Sequence, residues 1–357
     1  MEWFDRQVYA NVPHIENGRV VSPTPLVDIT DFVKNAALDV YGVKLNNPFE
    51  VFGKQESSLP GGSIKTRPAT NIIRDAILAG RIRRGTAVFE ATSGNFGLAL
   101  SLLNGLGVNA VCIISRKLEQ GVKDALARCG AKTIYINAEI CPVPFAGYAE
   151  QSQNYSMIND VLDQLNRLGF DAGKANRSEE VRKAIINQDA IGLAQALAQA
   201  YGGFCTEQYT NESNVRAYQG VMGKEIEQQL AALGKIAKDF EIVCAFGTGG
   251  TSTGLSTYFS DRYGTKNVLV AFPKPAQDVA GIRTKENARG LRFYMPQIYA
   301  GEVEVDFDEA KQLIGYAAKK QLSIGESSAI VLYAAIREIA SGRRKMLVML
   351  ADGNEKY

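Results

Sequence analysis

The chain has 357 residues, of which 46% are hydrophobic and 22% are charged, and this composition is typical of a soluble globular protein with one large or two average domains. Its 40 basic and 38 acidic residues leave a net charge of +2, which is too balanced to favour binding to nucleic acid or to a membrane surface. No apolar run approaches the roughly 18 residues of a membrane span, and the acidic, aromatic start of the chain does not resemble a signal peptide.

The chain contains five cysteines and a single histidine, His14. An odd number of cysteines without CxxC spacing predicts reduced thiols in a cytoplasmic protein. One histidine argues against a histidine-based metal centre or a Ser-His-Asp triad, so the sequence predicts no metal site. The cysteines are Cys112, Cys129, Cys141, Cys205 and Cys244.

Short apolar runs that alternate with helical patterns dominate the chain. We predict strands at residues 87–89, 110–114, 133–136, 242–246, 268–272 and 346–350. Helices are predicted at residues 98–106 and around residues 122–128, and the polar stretch 150–200 is helical without a strand. Continuous apolar strands separated by helices indicate mostly parallel sheets that are covered on both faces. The sequence therefore predicts the α/β class, with two domains and a ligand-binding cleft between them.

Lys65 lies in the segment 61–69, GGSIKTRPA, where glycines precede the lysine and a helix follows it. Pro68 suits the first turn of that helix, because no backbone N–H is needed there. The positive end of a helix disfavours a second positive charge, so this position favours the neutral amine of Lys65. A neutral amine is the form that attacks an aldehyde, which makes Lys65 a candidate for forming a Schiff base.

A second segment, ATSGNFG at residues 91–97, joins a predicted strand to a predicted helix. Backbone N–H groups at the helix start and the hydroxyls of Thr92 and Ser93 make an anion site that suits a carboxylate. Gly94 permits a close approach of the backbone, and the amide of Asn95 can hydrogen-bond a phenolic oxygen. The alternative is an ordinary helix N-cap, since Ser and Asn are favoured at such positions.

A third segment, GTGGTSTG at residues 247–254, follows a predicted buried strand and opens a helix. It is neither a GxGxxG dinucleotide site, because Ser252 replaces the third glycine, nor a P-loop, because it lacks the Gly-Lys-Ser/Thr ending. Consecutive N–H groups in such a loop hold a phosphate. A Schiff-base lysine, a carboxylate site and a phosphate site together indicate pyridoxal 5′-phosphate (PLP) chemistry on an amino acid. The candidate phosphate-binding residues are Gly247, Thr248, Gly249, Gly250 and Thr251.

Motifs along nearly the whole chain resemble those of the cysteine synthase and cystathionine β-synthase family of fold type II PLP enzymes. The resemblance implies two doubly wound α/β domains of the tryptophan synthase β-like class, a homodimer, and small-molecule amino-acid substrates. The matching motifs occupy residues 22–27, 61–69, 90–98, 208–214, 223–226, 247–254 and 324–329.

The resemblance also sets the expected domain limits. One domain would span residues 47–205 and contain Lys65 and the carboxylate loop. The other would combine residues 1–46 with residues 206–357. The segment 141–205 is longer than its counterpart in the family and largely helical. It would either cap the cleft and select the second substrate, or pack at the periphery.

The resemblance implies a role for each candidate residue. Lys65 would form the Schiff base and then carry a proton. The phosphate would be held by the 247–251 loop, and Asn95 would lie near the cofactor's ring oxygen. The substrate carboxylate would be bound by Thr92, Ser93, Gly94, Asn95 and Gln208.

The implied reaction is β-replacement on an O-activated L-serine, O-acetylserine or O-phosphoserine, through an aminoacrylate. Sulfide is the expected nucleophile, as in cysteine synthase. Two alternatives remain open: an amine nucleophile, as in N-(2-amino-2-carboxyethyl)-L-glutamate synthase, and water, which gives a lyase or deaminase. The intact lysine and anion loops argue against a non-enzymatic relative.

Two further positions bear on this reaction. Asp352 follows the last predicted strand, where the family usually places a Ser or Thr near the pyridine nitrogen. If Asp352 meets that nitrogen, the ring is a stronger electron sink; otherwise the residue turns away in a loop. Arg283 lies roughly where phosphoserine-using members carry a phosphate-binding arginine, and a guanidinium fork suits a phosphate dianion. The alternative is a surface arginine, like the nearby Arg289 and Arg292.

Overall fold

The computed structural model describes residues 11–137 and 151–353, and it describes the side chains of the second range from residue 155. Contacts within the chain divide these residues into two compact units. The smaller unit runs from Ala69 to Asn211, and the larger unit combines residues 11–68 with residues 212–353. None of the helices in these ranges has the length and apolar character needed to cross a lipid bilayer.

Short strands and one helix open the larger unit. They are β1 (His14–Glu16), β2 (Arg19–Val21), β3 (Leu26–Asp28), α1 (Thr30–Tyr41) and β4 (Glu50–Gln55). β1 and β2 form an antiparallel hairpin. A 3-10 helix at Glu56–Ser58 follows β4, and helix α2 (Thr66–Leu78) begins directly after Lys65.

The smaller unit is a parallel four-stranded sheet with helices. Its elements are β5 (Ala87–Ala91), α3 (Asn95–Leu102), a 3-10 helix (Leu103–Leu106), β6 (Asn109–Ser115), α4 (Gln120–Arg128), β7 (Lys132–Ile136), α5 (Gln151–Arg167), α6 (Ala172–Arg177), α7 (Glu179–Ile186), α8 (Ala190–Tyr201) and β8 (Phe204–Cys205). The strand order is β7-β6-β5-β8. Because β5 and β8 are parallel neighbours, the loops at their carboxyl ends meet at one edge of the sheet.

The chain then returns to the larger unit. The remaining elements are α9 (Glu212–Arg216), a π-helix (Ala217–Met222), α10 (Gly223–Ala232), a 3-10 helix (Ala237–Asp239), β9 (Glu241–Ala245), α11 (Gly250–Tyr263), β10 (Val268–Pro273), α12 (Lys285–Ala288), a 3-10 helix (Pro296–Ile298), β11 (Gly301–Val305), α13 (Phe307–Ala310), α14 (Gln312–Lys319), α15 (Glu326–Ala340) and β12 (Lys345–Leu350).

The sheet of the larger unit has six strands in the order β11-β10-β9-β12-β4-β3, and only the β3–β4 pair is antiparallel. Alternate residues of β12 pack into two separate hydrophobic cores, Met346 and Val348 into one, Leu347 and Met349 into the other. Helices therefore cover both faces, which is why the strand reads as one apolar run. Since β9, β12 and β4 are adjacent and parallel, the segments that follow them meet at one edge of the sheet.

The α/β class and all six predicted strands are confirmed. The predicted helix at 98–106 is an α-helix to Leu102 and a 3-10 helix beyond it. Helices also fill the segment 151–201, whereas Cys141 and the rest of 138–150 lie outside the described residues. The four described cysteines are free thiols, and Cys112 and Cys244 are buried.

The division of the chain differs from the predicted domain limits. It falls at residues 68 and 211, whereas the sequence predicts limits at 46 and 205. The reason for the first difference is β4, which pairs with β12 and β3 and so carries residues 50–55 into the larger sheet. Lys65 is consequently part of the larger unit, together with the 247–254 loop.

Candidate active site

Lys65 is fixed by the end of the last strand of the larger sheet. The N–H of Ile64 donates to the carbonyl of Ala351 at 2.7 Å, and Ser63 forms a β-bridge with Asp352. Gly61 and Gly62 precede this segment with φ of 81° and 64°, in the left-handed region where glycine is favoured. The turn and the bridge together place Lys65 at the start of α2.

Burial lowers the pKa of the Lys65 amino group below its ordinary value. The positive charge of Arg283 lowers the pKa further, and the negative charge of Asp352 opposes both. The sequence predicted a neutral amine from the helix end; the structure adds desolvation, which is the largest cause. The shift is in the direction that favours the neutral amine, the form that acts as a nucleophile.

The glycine-rich loop runs past Lys65. A Cβ added to Gly247 would lie 3.5 Å from the Lys65 Nζ and only 2.6 Å from the carbonyl oxygen of Gly281. Gly249 has φ of 86°, and a Cβ there would lie 2.7 Å from the carbonyl oxygen of Phe293. A Cβ at Gly250, the first residue of α11, would collide with the side chain of Asn214. The glycines therefore let the loop pack closely against its neighbours, and Gly247 brings the loop near the Lys65 amine.

Two side chains hold the loop in place. The hydroxyl of Thr248 accepts hydrogen bonds from the Asn214 side chain at 2.9 Å and from the N–H of Gly250 at 3.3 Å. Thr251 shares a hydrogen bond with the buried Tyr218, whose hydroxyl donates to the carbonyl of Ile64 at 3.5 Å. Tyr218 thus connects the predicted phosphate loop to the residue before Lys65.

Asp352 is a buried carboxylate, 4% exposed, that acts electrostatically on Lys65. The hydroxyl of Ser327 donates to its Oδ1 at 3.2 Å, and Ser328 donates to its backbone carbonyl at 3.3 Å. Both serines lie in the first turn of α15, where the positive helix end favours an anion. The side chain is therefore held inside the larger unit.

Arg283, the candidate arginine, is one of the two charged residues that shift the pKa of Lys65 in the described part of the chain. Its backbone N–H donates to the carbonyl of Phe246 at 2.7 Å, which fixes the segment beside the glycine-rich loop. Arg292 is instead exposed and pairs with Glu212 at 2.7 Å, and Arg289 is also exposed.

The predicted carboxylate loop lies in the smaller unit, at the end of β5. The buried hydroxyl of Thr92 accepts hydrogen bonds from the N–H groups of Gly94 at 3.2 Å and Gly97 at 3.1 Å. These contacts use the oxygen lone pairs of Thr92 and leave its hydrogen available to an anion. Ser93 is exposed and Asn95 is partly exposed, so both side chains are accessible.

Gln208 comes to the same edge from the end of β8. Its side-chain Nε2 donates to Oε1 of Glu90 and to the carbonyl of Ala91, each at 3.2 Å. Thr206 donates to the other oxygen of Glu90. Burial raises the pKa of Glu90 to about 7. Sequence reasoning missed Glu90, although its signal was visible: an acidic residue at the end of an apolar strand, two residues before Thr92.

A buried ion cluster was missed as well. Arg67 donates to Glu56 at 2.6 Å and to Glu225 at 2.8 Å, and Lys54 also pairs with Glu225. The hydroxyl of Thr24 lies between these groups and donates to Glu56 at 2.7 Å. Thr24, Arg67 and Glu225 all lie in the motifs named above, but no chemical role was predicted for them from the sequence.

The described residues fit a bound PLP. An amine with a lowered pKa lies beside a glycine-lined loop whose N–H groups begin a 14-residue helix, α11, and such a helix start suits a phosphate. No group of three or more His, Cys, Asp or Glu side chains in the described ranges is arranged to hold a metal ion.

Comparison with known proteins agrees with this geometry. Residues 19–352 match the family described as pyridoxal-phosphate dependent enzyme. Cysteine synthase B of Pseudomonas aeruginosa is 26% identical over 274 residues, which cover 75% of this chain and 73% of that protein. An O-acetylserine dependent cystathionine beta-synthase of Bacillus subtilis is 26% identical over 310 residues, 84% of each chain. The crystal structure of an O-ureido-L-serine synthase shares the fold, with a TM-score of 0.68 at 20% identity over 94% of this chain and 90% of that one.

Proposed function

Because the chain belongs to the pyridoxal-phosphate dependent enzyme family, we propose that it catalyses β-replacement on an O-activated L-serine, with sulfide as the nucleophile. The names of the relatives support this choice, since cysteine synthase B and an O-acetylserine dependent cystathionine beta-synthase are among them.

One observation carries the proposal: the amine of Lys65 lies beside the glycine-rich loop, 3.5 Å from the Cβ position of Gly247. A ligand whose phosphate binds this loop would lie next to a lysine whose pKa is lowered. An anion site beside an amine whose pKa is lowered suits the retention of PLP.

The residues then have distinct tasks. When bound, the cofactor ring withdraws electrons from the Cα of the amino acid. Lys65 takes the proton from that Cα and holds it on Nζ, because its lowered pKa makes the free amine available as a base. Asp352 is our candidate for the residue at the ring nitrogen, since it is a buried carboxylate held beside Lys65. In the smaller unit, the substrate carboxylate is assigned to Thr92, Ser93, Gly94, Asn95 and Gln208.

We assign binding of the leaving group to Arg283. It is the partly exposed arginine that acts on Lys65, and its guanidinium offers paired donors that match the oxygens of a phosphate. O-phosphoserine is therefore the donor that we favour over O-acetylserine.

The remaining expectations concern assembly and location. We propose a cytoplasmic homodimer, which rests on the family resemblance alone. Light scattering of the purified protein measures the mass directly, and a value equal to one chain would contradict the dimer.

The test is a donor and nucleophile screen with the PLP-loaded enzyme. O-phosphoserine with sulfide should give cysteine at a rate that exceeds the rates with serine, and Lys65→Ala should abolish the product. Glutamate and water are tested as competing acceptors of the same donor. Transfer to glutamate, or release of pyruvate without cysteine, would replace sulfide by an amine or by water in the proposal.

A further inference from the structure

Glu90 occupies an unusual place for a carboxyl group. It lies on β5, 2% exposed, between two side chains from the segment after β8. Thr206 donates to Oε2 and the side chain of Gln208 donates to Oε1, and both partners are themselves buried. The backbone N–H of Gln208 also donates to the Glu90 carboxyl group, so the side-chain amide can move while Gln208 stays in place. A carboxyl group so enclosed is expensive to ionise, because water cannot reach it.

The charged surroundings do not compensate for this burial. Glu207, Cys112 and Cys205 are the titratable groups that act electrostatically on Glu90 or are acted on by it. None of the three is a cation. Burial raises the pKa of the Cys112 thiol to about 12 and also raises the pKa of Cys205, so both thiols stay neutral while Glu90 titrates near pH 7.

The side-chain amide of Gln208 has two hydrogens, and Nε2 donates both of them in hydrogen bonds. One partner is Glu90 and the other is the carbonyl of Ala91, each at 3.2 Å. A substrate carboxylate can accept from Gln208 only if one of these partners releases its hydrogen. A neutral Glu90 is the weaker acceptor, and an ionised Glu90 holds the hydrogen about twice as strongly.

From these contacts we infer that Glu90 is a positioning residue that sets how readily Gln208 binds the substrate carboxylate, releasing the amide when it is neutral and retaining it when it is ionised. Glu90 acts through Gln208 and does not itself touch the substrate. The inference rests on the proposed carboxylate role of Gln208. It predicts that amino-acid affinity falls as the pH rises through about 7, where Glu90 loses its proton.

The first measurement concerns the protonation of Glu90 and needs no substrate. Infrared difference spectra of the holoenzyme should show the C=O stretch of a buried carboxylic acid about one pH unit below 7, and this band should vanish about one unit above. Glu90→Gln should lack the band, and Glu179→Gln, which removes an exposed carboxyl group on α7, should retain it. A wild-type enzyme without the band at the lower pH overturns the inference.

The second measurement is the Kd of L-serine at the same two pH values, taken from the absorbance of the bound cofactor. The Kd ratio between high and low pH should be about fivefold larger in wild type than in Glu90→Gln, the difference between a charge-assisted and a neutral hydrogen bond. Titration of the serine amine is common to both proteins and cancels in the comparison. Glu179→Gln, which removes an exposed carboxyl group and leaves Glu90 and Gln208 in place, should keep the wild-type ratio.

A third variant tests the inference while leaving Glu90 and Gln208 unchanged. Thr206→Val removes a hydrogen bond that lowers the pKa of Glu90, so the pH midpoint of both signals should move upward. An unchanged midpoint, or a Glu90→Gln enzyme with the wild-type Kd ratio, overturns the inference. If Gln208→Ala binds serine as tightly as wild type, the carboxylate role of Gln208 fails first, and the role of Glu90 fails with it. If Gln208→Ala binds serine more weakly but Glu90→Gln keeps the wild-type Kd ratio, only the positioning role of Glu90 is rejected.

Discussion

At the scale of single residues, the pKa of Lys65 is set by burial and by two neighbours of opposite charge. Desolvation and Arg283 favour the neutral amine, whereas Asp352 favours the ammonium. A bound phosphate would enter this balance as a further negative charge. The charges around Lys65 therefore influence how readily its amine reacts.

Replacing Arg283 with alanine should change donor selectivity. Loss of a charge-assisted hydrogen bond of about 1.5–3 kcal/mol should lower kcat/KM for O-phosphoserine about 10- to 100-fold more than for O-acetylserine, because the change in the pKa of Lys65 is common to both donors. Steady-state kinetics with both donors measure the effect. Arg292→Ala is the matched control, because Arg292 is exposed and engaged with Glu212. Equal losses with both donors would remove Arg283 from the leaving-group site.

A methyl group at Gly247 should weaken cofactor binding. Its Cβ would lie 2.6 Å from the Gly281 carbonyl, so the loop must shift beside Lys65. Strain of about 1–3 kcal/mol should raise the Kd for PLP about 5- to 100-fold, as measured by fluorescence titration of the apo-enzyme. Gly315→Ala is the control, since nothing lies within 4 Å of its Cβ position in α14. Wild-type affinity in Gly247→Ala would show that the loop does not hold the cofactor.

At the scale of elements, the ion cluster connects the start of α2 to β4 and α10. Arg67 lies two residues after Lys65 and pairs with Glu56 and Glu225. Burial alone would raise the pKa of Glu225, but the charges of Arg67 and Lys54 outweigh it and lower the pKa. The cluster holds the segment that carries Lys65 in place through ion pairs that are buried away from water.

Glu225→Gln should therefore destabilise the protein strongly. Removing one partner leaves Arg67 and Lys54 partly uncompensated, and such losses cost about 3–5 kcal/mol. Urea unfolding measures the change. Asp308→Asn, which breaks the exposed pair with Lys311, should cost at most about 1 kcal/mol.

The same variant should alter the acid limb of stability. A lowered pKa gives Glu225 a stabilising effect that is present above the unfolded value of 4.5 and is lost as the pH falls through the folded pKa. The difference between wild type and Glu225→Gln should shrink over that window. A difference that is constant with pH would contradict the ionised cluster.

The sequence predicts the elements that are buried on both faces and misses those with buried charge. β9, β10 and β12 read as apolar runs because helices cover both sides of the sheet. β4 was missed because Gly53 and Lys54 interrupt its apolar pattern. The charge of the buried Lys54 is compensated by Glu225, which lies 171 positions away in the chain. Such a long-range pairing has no local signal in the sequence.

At the scale of the whole molecule, the candidate residues are divided between two units. Lys65, the 247–254 loop, Arg283 and Asp352 belong to the larger unit, and Glu90 and Gln208 to the smaller. The motifs indicate candidate residues, because glycine, hydroxyl and amide side chains have recognisable tasks in anion binding. They did not predict the domain limits, which depend on β4 pairing with β12, or the titration of Glu90, which depends on burial.

The most direct test of the account is covalent trapping of PLP on the whole chain. The holoenzyme is reduced with borohydride and digested, and the pyridoxyl-labelled peptide is sequenced by mass spectrometry. The account predicts a single label on Lys65, with no label in Lys65→Ala and the wild-type label in Lys320→Ala, an exposed lysine. A label on another lysine, or a wild-type chain that binds PLP without any label, would contradict the central role given to Lys65.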